Sequence, residues 1–187
     1  MDNIISYLQS PLTWEFKKKK AFLKSDKKTI LELRTGRKRA SFDLDKKTYD
    51  IRNKGFWNSS TIIEEDKETV AMLKRFFRNH AAWIDFLHGS KYFIKCKNDV
   101  FIKLSIYSSD HKEIMRYKLI SKYKASMNLF VNSTKIPDMD KVFLMILGCF
   151  IFRGIIKENK ITDLESIVFS NAVPVKELPV AEEVMSN

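Results

Sequence analysis

The run Val142–Phe152, Val-Phe-Leu-Met-Ile-Leu-Gly-Cys-Phe-Ile-Phe, is continued past Arg153 by Ile155 and Ile156 and has no polar face. As a helix it is about 16 Å long, at about 1.5 Å per residue, roughly half of a bilayer's hydrocarbon thickness. A helix that is apolar all round and too short to span lipid must be enclosed by protein. The rest of the chain therefore has to supply a container.

The preceding residues read as short strands. Leu12, Trp14 and Phe16 alternate with polar neighbours, as do Leu31 and Leu33, then Ala40, Phe42 and Leu44, then Tyr49 and Ile51. Thr61-Ile62-Ile63, Ala82–Phe86, Tyr92–Cys96, Val100–Ile106, Met115–Leu119 and Met127–Val131 continue the pattern. Asp26-Lys27-Lys28, Asp45-Lys46-Lys47, Asp66-Lys67 and His88-Gly89-Ser90 punctuate it as turns. Residues 69–77 fit either a strand or a helical face through Val70, Leu73, Phe76 and Phe77. Eleven or twelve short strands at this spacing predict a mainly β, antiparallel sandwich or barrel. After Pro137, Asp138 or Asp140 is suited to cap the apolar helix, with Arg153 and Lys157 at its negative end. Gly148 costs roughly 1 kcal/mol in a helix interior, which predicts close approach of a neighbouring backbone.

A train of about a dozen antiparallel strands followed by one short, wholly apolar helix resembles the tubby-like barrel. That family comprises the Tubby C-terminal domain, phospholipid scramblases and LURP-one-related proteins. The resemblance runs from Leu12 to Ile156. Its local anchors are Phe86-Leu-His-Gly89-Ser-Lys-Tyr92-Phe-Ile94, similar to the family's strand-Gly-strand hairpins, and the helix itself. It implies a closed barrel of about 12 strands wrapped around a buried C-terminal helix (about 138–157), and a phospholipid-binding role. The calcium segment and palmitoylation cysteines of scramblases are missing, so the LURP-one-like and bacterial relatives fit best. The size argument agrees: about eight strands make a barrel that its own side chains fill, so twelve need a plug.

On this reading residues 1–160 form the barrel with its helix, and 161–187 an acidic, partly disordered extension. Two cysteines, Cys96 and Cys149, exclude a disulfide framework, and Ile4, Ile5 and Leu8 are too short a run for a signal-peptide core. Both point to the cytoplasm.

No residue pattern indicates an enzyme, a cofactor or a metal. P-loop, dinucleotide fingerprint, HExxH and Cys-x-x-Cys patterns are all missing. His80, His88 and His111 have no zinc-like spacing. Cys96 with His88 is a nominal nucleophile–base pair, but Cys96 alternates with Tyr92 and Ile94 as a core thiol does. Asp43, Asp45 and Asp50 lack the Gly and Glu of a calcium loop and read as outward strand and turn residues.

The functional signal is charge. Residues 158–187 hold six acidic and two basic side chains, −4, against a total of +11, which leaves +15 on residues 1–157. Lys17, Lys18, Lys19, Lys20, Lys24, Lys27 and Lys28, with Arg37, Lys38 and Arg39, make a candidate patch for anionic lipid head groups. Nucleic acid is a second candidate partner, without an RNP-type or recognition-helix signal. A protein-interaction scaffold, its basic face held by the acidic tail, is a third. The same lysines also serve simply as a charged edge that discourages strand-to-strand pairing. The expected protein is a monomeric, non-enzymatic module, peripheral at the membrane and without a transmembrane span.

Overall fold

A computed structural model describes residues 2–8, 10–36, 38–54, 60–76, 81–98, 102–121, 126–132 and 135–157. The alternating segments form twelve strands: β1 (Leu12–Lys17), β2 (Lys20–Ser25), β3 (Lys28–Thr35), β4 (Arg39–Leu44), β5 (Lys47–Lys54) and β6 (Ser60–Glu65), then β7 (Glu68–Phe76), β8 (Ala81–Phe86), β9 (Lys91–Asn98), β10 (Ile102–Ser108), β11 (Glu113–Ser121) and β12 (Ser126–Val131). Each pairs antiparallel with its neighbours in sequence. β1 also pairs with β12, Leu12 opposite Leu129 and Trp14 opposite Met127, which closes the barrel. Residues 69–77, ambiguous by periodicity, fall mostly in strand β7. It is paired on both sides, and a helix there would leave the edges of β6 and β8 open.

The three Asp-Lys turns fix the hairpins β2–β3, β4–β5 and β6–β7. Both central residues of each have φ between 45° and 73°, the type I′ form whose twist matches that of the flanking strands. Aspartate tolerates this left-handed region better than most side chains. In β4–β5 the register follows by counting outward from the two-residue turn, whereas in β2–β3 and β6–β7 it shifts by one residue at a bulge, between Leu23 and Lys24 and between Ile63 and Glu64.

Helix α2 (Asp138–Lys157) fills the bore. Phe143 packs against Phe42 of β4, Tyr49 of β5 and Phe86 of β8, at ring-centroid distances of 6.0, 5.1 and 6.1 Å. From β11, the Tyr117 hydroxyl donates to the Leu144 carbonyl at 2.8 Å. β5 and β11 lie six places apart in a ring of twelve, so the helix touches opposite walls. Every residue from Val142 to Leu147 is buried, as are Cys149, Ile151 and Phe152. A short helix, α1 (Asp2–Ile5), puts Ile4 into the same core and packs on α2 and β3.

Gly148 is required by a side chain, not by the backbone approach its position suggested. A Cβ there would lie 2.3 Å from Cζ of Tyr117, whose ring covers the turn of helix that its hydroxyl bonds. Tyr117 is itself fully buried.

The outer wall is charged. Arg34 donates to both carboxylate oxygens of Asp43 at 2.9 Å, Lys24 pairs with Glu15 at 2.6 Å, and Lys74 with Asp85 at 2.9 Å. Such a wall differs from the outward apolar band of a barrel that sits in lipid. Among the described residues no helix is long and apolar enough to cross a membrane.

Gly148→Ala should cost about 1–3 kcal/mol by overpacking against Tyr117. Gly154, with nothing within 4 Å of a built Cβ, provides the control. Gly154→Ala should be neutral or stabilising by up to about 1 kcal/mol. Urea titration of the two variants measures the difference, and equal midpoints would contradict the assigned packing.

Candidate anion-binding site

In an antiparallel barrel successive turns alternate between the two ends. The 26–27, 45–46, 66–67, 87–90 and 109–112 turns share the end where α2 begins. The 18–19 and 36–38 turns share the end where it finishes. The first end is balanced, because its Asp-Lys turns carry one charge of each sign and Lys112 pairs with Asp110 at 2.8 Å. At the second end Lys17, Lys18, Lys19, Lys20, Lys38, Arg39 and Lys54 converge, with no acidic residue in the described turns.

The lysine turn is held from inside. Arg153, near the end of α2, donates from Nη1 to the Lys20 carbonyl at 2.7 Å, and from Nη2 to those of Lys17 and Lys18 at 3.0 and 2.8 Å. The Lys19 carbonyl accepts from the Thr35 amide at 2.7 Å. All four carbonyls are therefore tied down, which leaves the lysine side chains pointing outward and exposed. Neither Lys18 nor Lys19 has positive φ, so this hairpin lacks the favoured primed turn and depends on the guanidinium. Arg153 is 5% exposed and has no carboxylate partner among the described residues. Burial draws its pKa below the ordinary 12.5, yet a guanidinium stays charged.

Beside this turn, β4, β5 and β6 carry a shallow groove of about 470 Å³ on the outer wall. Arg39 faces Arg52 directly across the β4–β5 ladder, and Lys38 adjoins them. Like charges directly opposite each other destabilise a sheet unless something neutralises them. Arg52 has such a partner: its Nη2 donates to Glu64 Oε1 at 2.6 Å, and Lys54 Nζ lies 3.5 Å from the same oxygen. The Arg52 hydrogen bond holds the nearly buried Glu64 carboxyl below its ordinary 4.5. Among the described residues Lys18, Lys19, Lys38 and Arg39 have no acidic partner.

The structure brings together only part of the patch read from sequence. Lys17–Lys20, Lys38 and Arg39 share one end. Lys24 lies along β2, paired with Glu15, and Lys20 is paired with Glu32 at 2.7 Å. Lys27 and Lys28 sit at the opposite end, about 20 Å away along a six-residue strand. There the Lys28 Nζ donates to the Tyr7 hydroxyl at 2.7 Å. Arg37 lies outside the described residues, as do His80 and the segment 158–187.

Arg52 and Glu64 were not singled out by the sequence, although a signal existed. Arg39 and Arg52 are each six residues from the Asp45–Lys46 turn, so a two-residue hairpin places them opposite.

At the other end His88 meets Asp140, a link that linear spacing conceals. Asp140 is fully buried in the first turn of α2, Oδ2 accepts from Tyr92 OH at 2.5 Å, and His88 Nε2 lies 3.1 Å from Oδ1. Asp140 is thus a tether to the β8–β9 turn, and Asp138 is bonded by Lys141 Nζ at 2.6 Å. Ser90 Oγ is 3.0 Å from the same Nε2. A Ser-His-Asp relay needs both ring nitrogens, one for each partner, so this trio is not one. Cys96 sits five strand residues beyond Lys91, about 16 Å from the His88 turn, too far for a nucleophile and its base. The Cys96 side chain lies outside the described residues, whereas Cys149 is a buried free thiol. Asp43 and Asp50 face outward on β4 and β5, as expected, with Asp45 in the turn between them. Compared with known proteins, the chain matches no family model, no curated protein and no solved structure.

Arg153→Met should leave three carbonyls without their donor and cost on the order of 1–3 kcal/mol. Amide exchange should accelerate across Lys17–Phe22 but not across the Asp45–Lys46 turn; uniform acceleration would contradict a local tie. Glu64 supplies a pH prediction. Its folded pKa is depressed, so its stabilisation is complete above the unfolded value of about 4.5 and is lost as pH falls through the folded value. Glu64→Gln should therefore flatten Tm against pH below about 4.5. An unchanged slope would refute the pairing.

Proposed function

We propose that this protein is a non-enzymatic, cytoplasmic module that binds anionic phospholipid head groups, as a monomer at the membrane surface. The observation that carries the reading is the Arg39–Arg52 pair, flanked by Lys38 in a concave groove next to the exposed lysine turn. Each basic side chain near an anionic leaflet contributes about 1 kcal/mol, so the four without acidic partners among the described residues supply about 4 kcal/mol. Binding of that size is reversible and salt-sensitive. The charge difference between the two ends gives the barrel an orientation: the basic end faces phosphate and the balanced end faces away. The resemblance of the strand train and its apolar helix to tubby-like barrels supports the same reading.

Nucleic acid fits the surface less well. Single-strand binders stack bases on accessible aromatic rings along a basic groove. Of the outward aromatics, those on β8–β10 lie away from the basic groove and are packed on one another, Phe22 on β2 is partly buried beneath Lys17 Nζ, 5.2 Å from its centroid, and Phe130 is exposed on β12. Phe93 stacks on Tyr107 at 5.1 Å and meets Trp83 at 5.4 Å, with Lys95 Nζ 5.5 and 5.4 Å from the Phe93 and Tyr107 centroids.

Sedimentation with phosphatidylserine- or phosphoinositide-containing vesicles, against neutral phosphatidylcholine, tests the proposal. Arg39→Gln should weaken binding to anionic vesicles about fivefold, the effect of losing about 1 kcal/mol. Glu64→Gln, which frees Arg52 and removes a negative charge, should strengthen it. Equal binding to neutral vesicles, or retention of a short oligonucleotide in place of vesicles, would overturn the reading.

A further inference from the structure

We propose that the chain's own acidic segment, residues 158–187, docks on the basic end of the barrel and competes there with anionic ligands. The competition rests on the head-group reading; the docking stands on charge and connectivity alone. The segment follows Lys157, the last described residue of α2, which lies at the basic end. Arg153 bonds the carbonyls of Lys17, Lys18 and Lys20, and Lys157 lies four residues further along α2, about 6 Å. The first three acidic residues beyond it, Glu158, Asp163 and Glu165, lie within eight positions of that point. An extended chain of eight residues reaches at most about 27–29 Å, enough to meet both Lys17–Lys20 and the neighbouring Lys38–Arg39 turn.

The receiving surface is unsatisfied. Lys18, Lys19, Lys38 and Arg39 have no acidic partner among the described residues, and the segment carries −4 against their positive charges. The opposite end offers no equal target, because its Asp-Lys turns are balanced and stand about 20 Å away. Exposed ion pairs are individually weak, about 0–1 kcal/mol. Tethering raises the effective concentration to the millimolar range, so several weak pairs together populate a docked state that an anionic surface can displace. A cover of this kind has to be weak, and the exposed side chains make it so.

The test uses the full chain. Zero-length carbodiimide coupling at low salt should join carboxylates of Glu158, Asp163 or Glu165 to Lys17–Lys20 or Lys38, as read by peptide mass spectrometry. Lys27 and Lys46, both at the balanced end and outside the groove, are internal controls. A mixture of isotope-labelled and unlabelled chains separates links within a chain from links between chains. The expected result is intrachain links at the basic end that disappear at high salt. Links spread evenly over both ends, no links, or links only between chains would overturn the docking. In the second arm a full-length Glu158→Gln, Asp163→Asn, Glu165→Gln variant should bind anionic vesicles about three- to tenfold more tightly. Unchanged affinity in a chain that does cross-link would overturn the competition. If neither protein binds vesicles, the head-group reading and the competition fall together, and the cross-links alone decide the docking.

Discussion

The bore of a twelve-strand barrel is too wide for its own inward side chains to fill, and an unfilled apolar cavity is costly. The rest of this structure follows from how that space is occupied. A helix without a polar face needs exactly such a wall-to-wall apolar surround, and the inward positions of the strands need something to bury against. Phe143, wedged among Phe42, Tyr49 and Phe86, and Tyr117, laid over Gly148, are where the two requirements meet. Since the inside is consumed by this packing, recognition is left to the outer wall and the ends.

Much of this is legible in the sequence. Alternation located the strands, and the Asp-Lys turns marked three hairpins, because a two-residue turn between alternating runs has few geometries. The apolar run demanded enclosure. Other features were not legible because they depend on contacts between elements far apart in sequence. Gly148 signalled a close approach, but only the structure shows that the partner is the ring of Tyr117, 31 positions earlier. His88 and Asp140 are separated by 52 positions and meet only when the helix enters the barrel. Residues 69–77 stayed ambiguous because their spacing suits both periods, and the open edges of their neighbours decide the outcome.

The candidate site shows the same division. Clustered lysines are visible in any listing of the chain, yet clustering in sequence is not clustering in space. A six-residue strand carries Lys27 and Lys28 to the far end of the barrel, while a turn and a ladder bring Arg39 beside Arg52. Arg153 looked like a simple response to the helix dipole. It proves to be a strut between the plug and the lysine turn, so the interior packing and the charged surface share one side chain.

The order of the elements along the chain has a kinetic meaning. The barrel closes by pairing β1 with β12, and Thr13 bonds Asn128 across 115 positions. The helix that fills it comes after both. Nothing can seal the apolar lining until the final element has been made, and long-range closure of this kind is slow. Until then an incomplete sheet has two open edges, a situation that invites association with other chains. The charges along the outer faces of β1 and β2, Glu15, Lys20 and Lys24, then have a role that precedes any ligand: they keep the unfinished sheet apart from its neighbours.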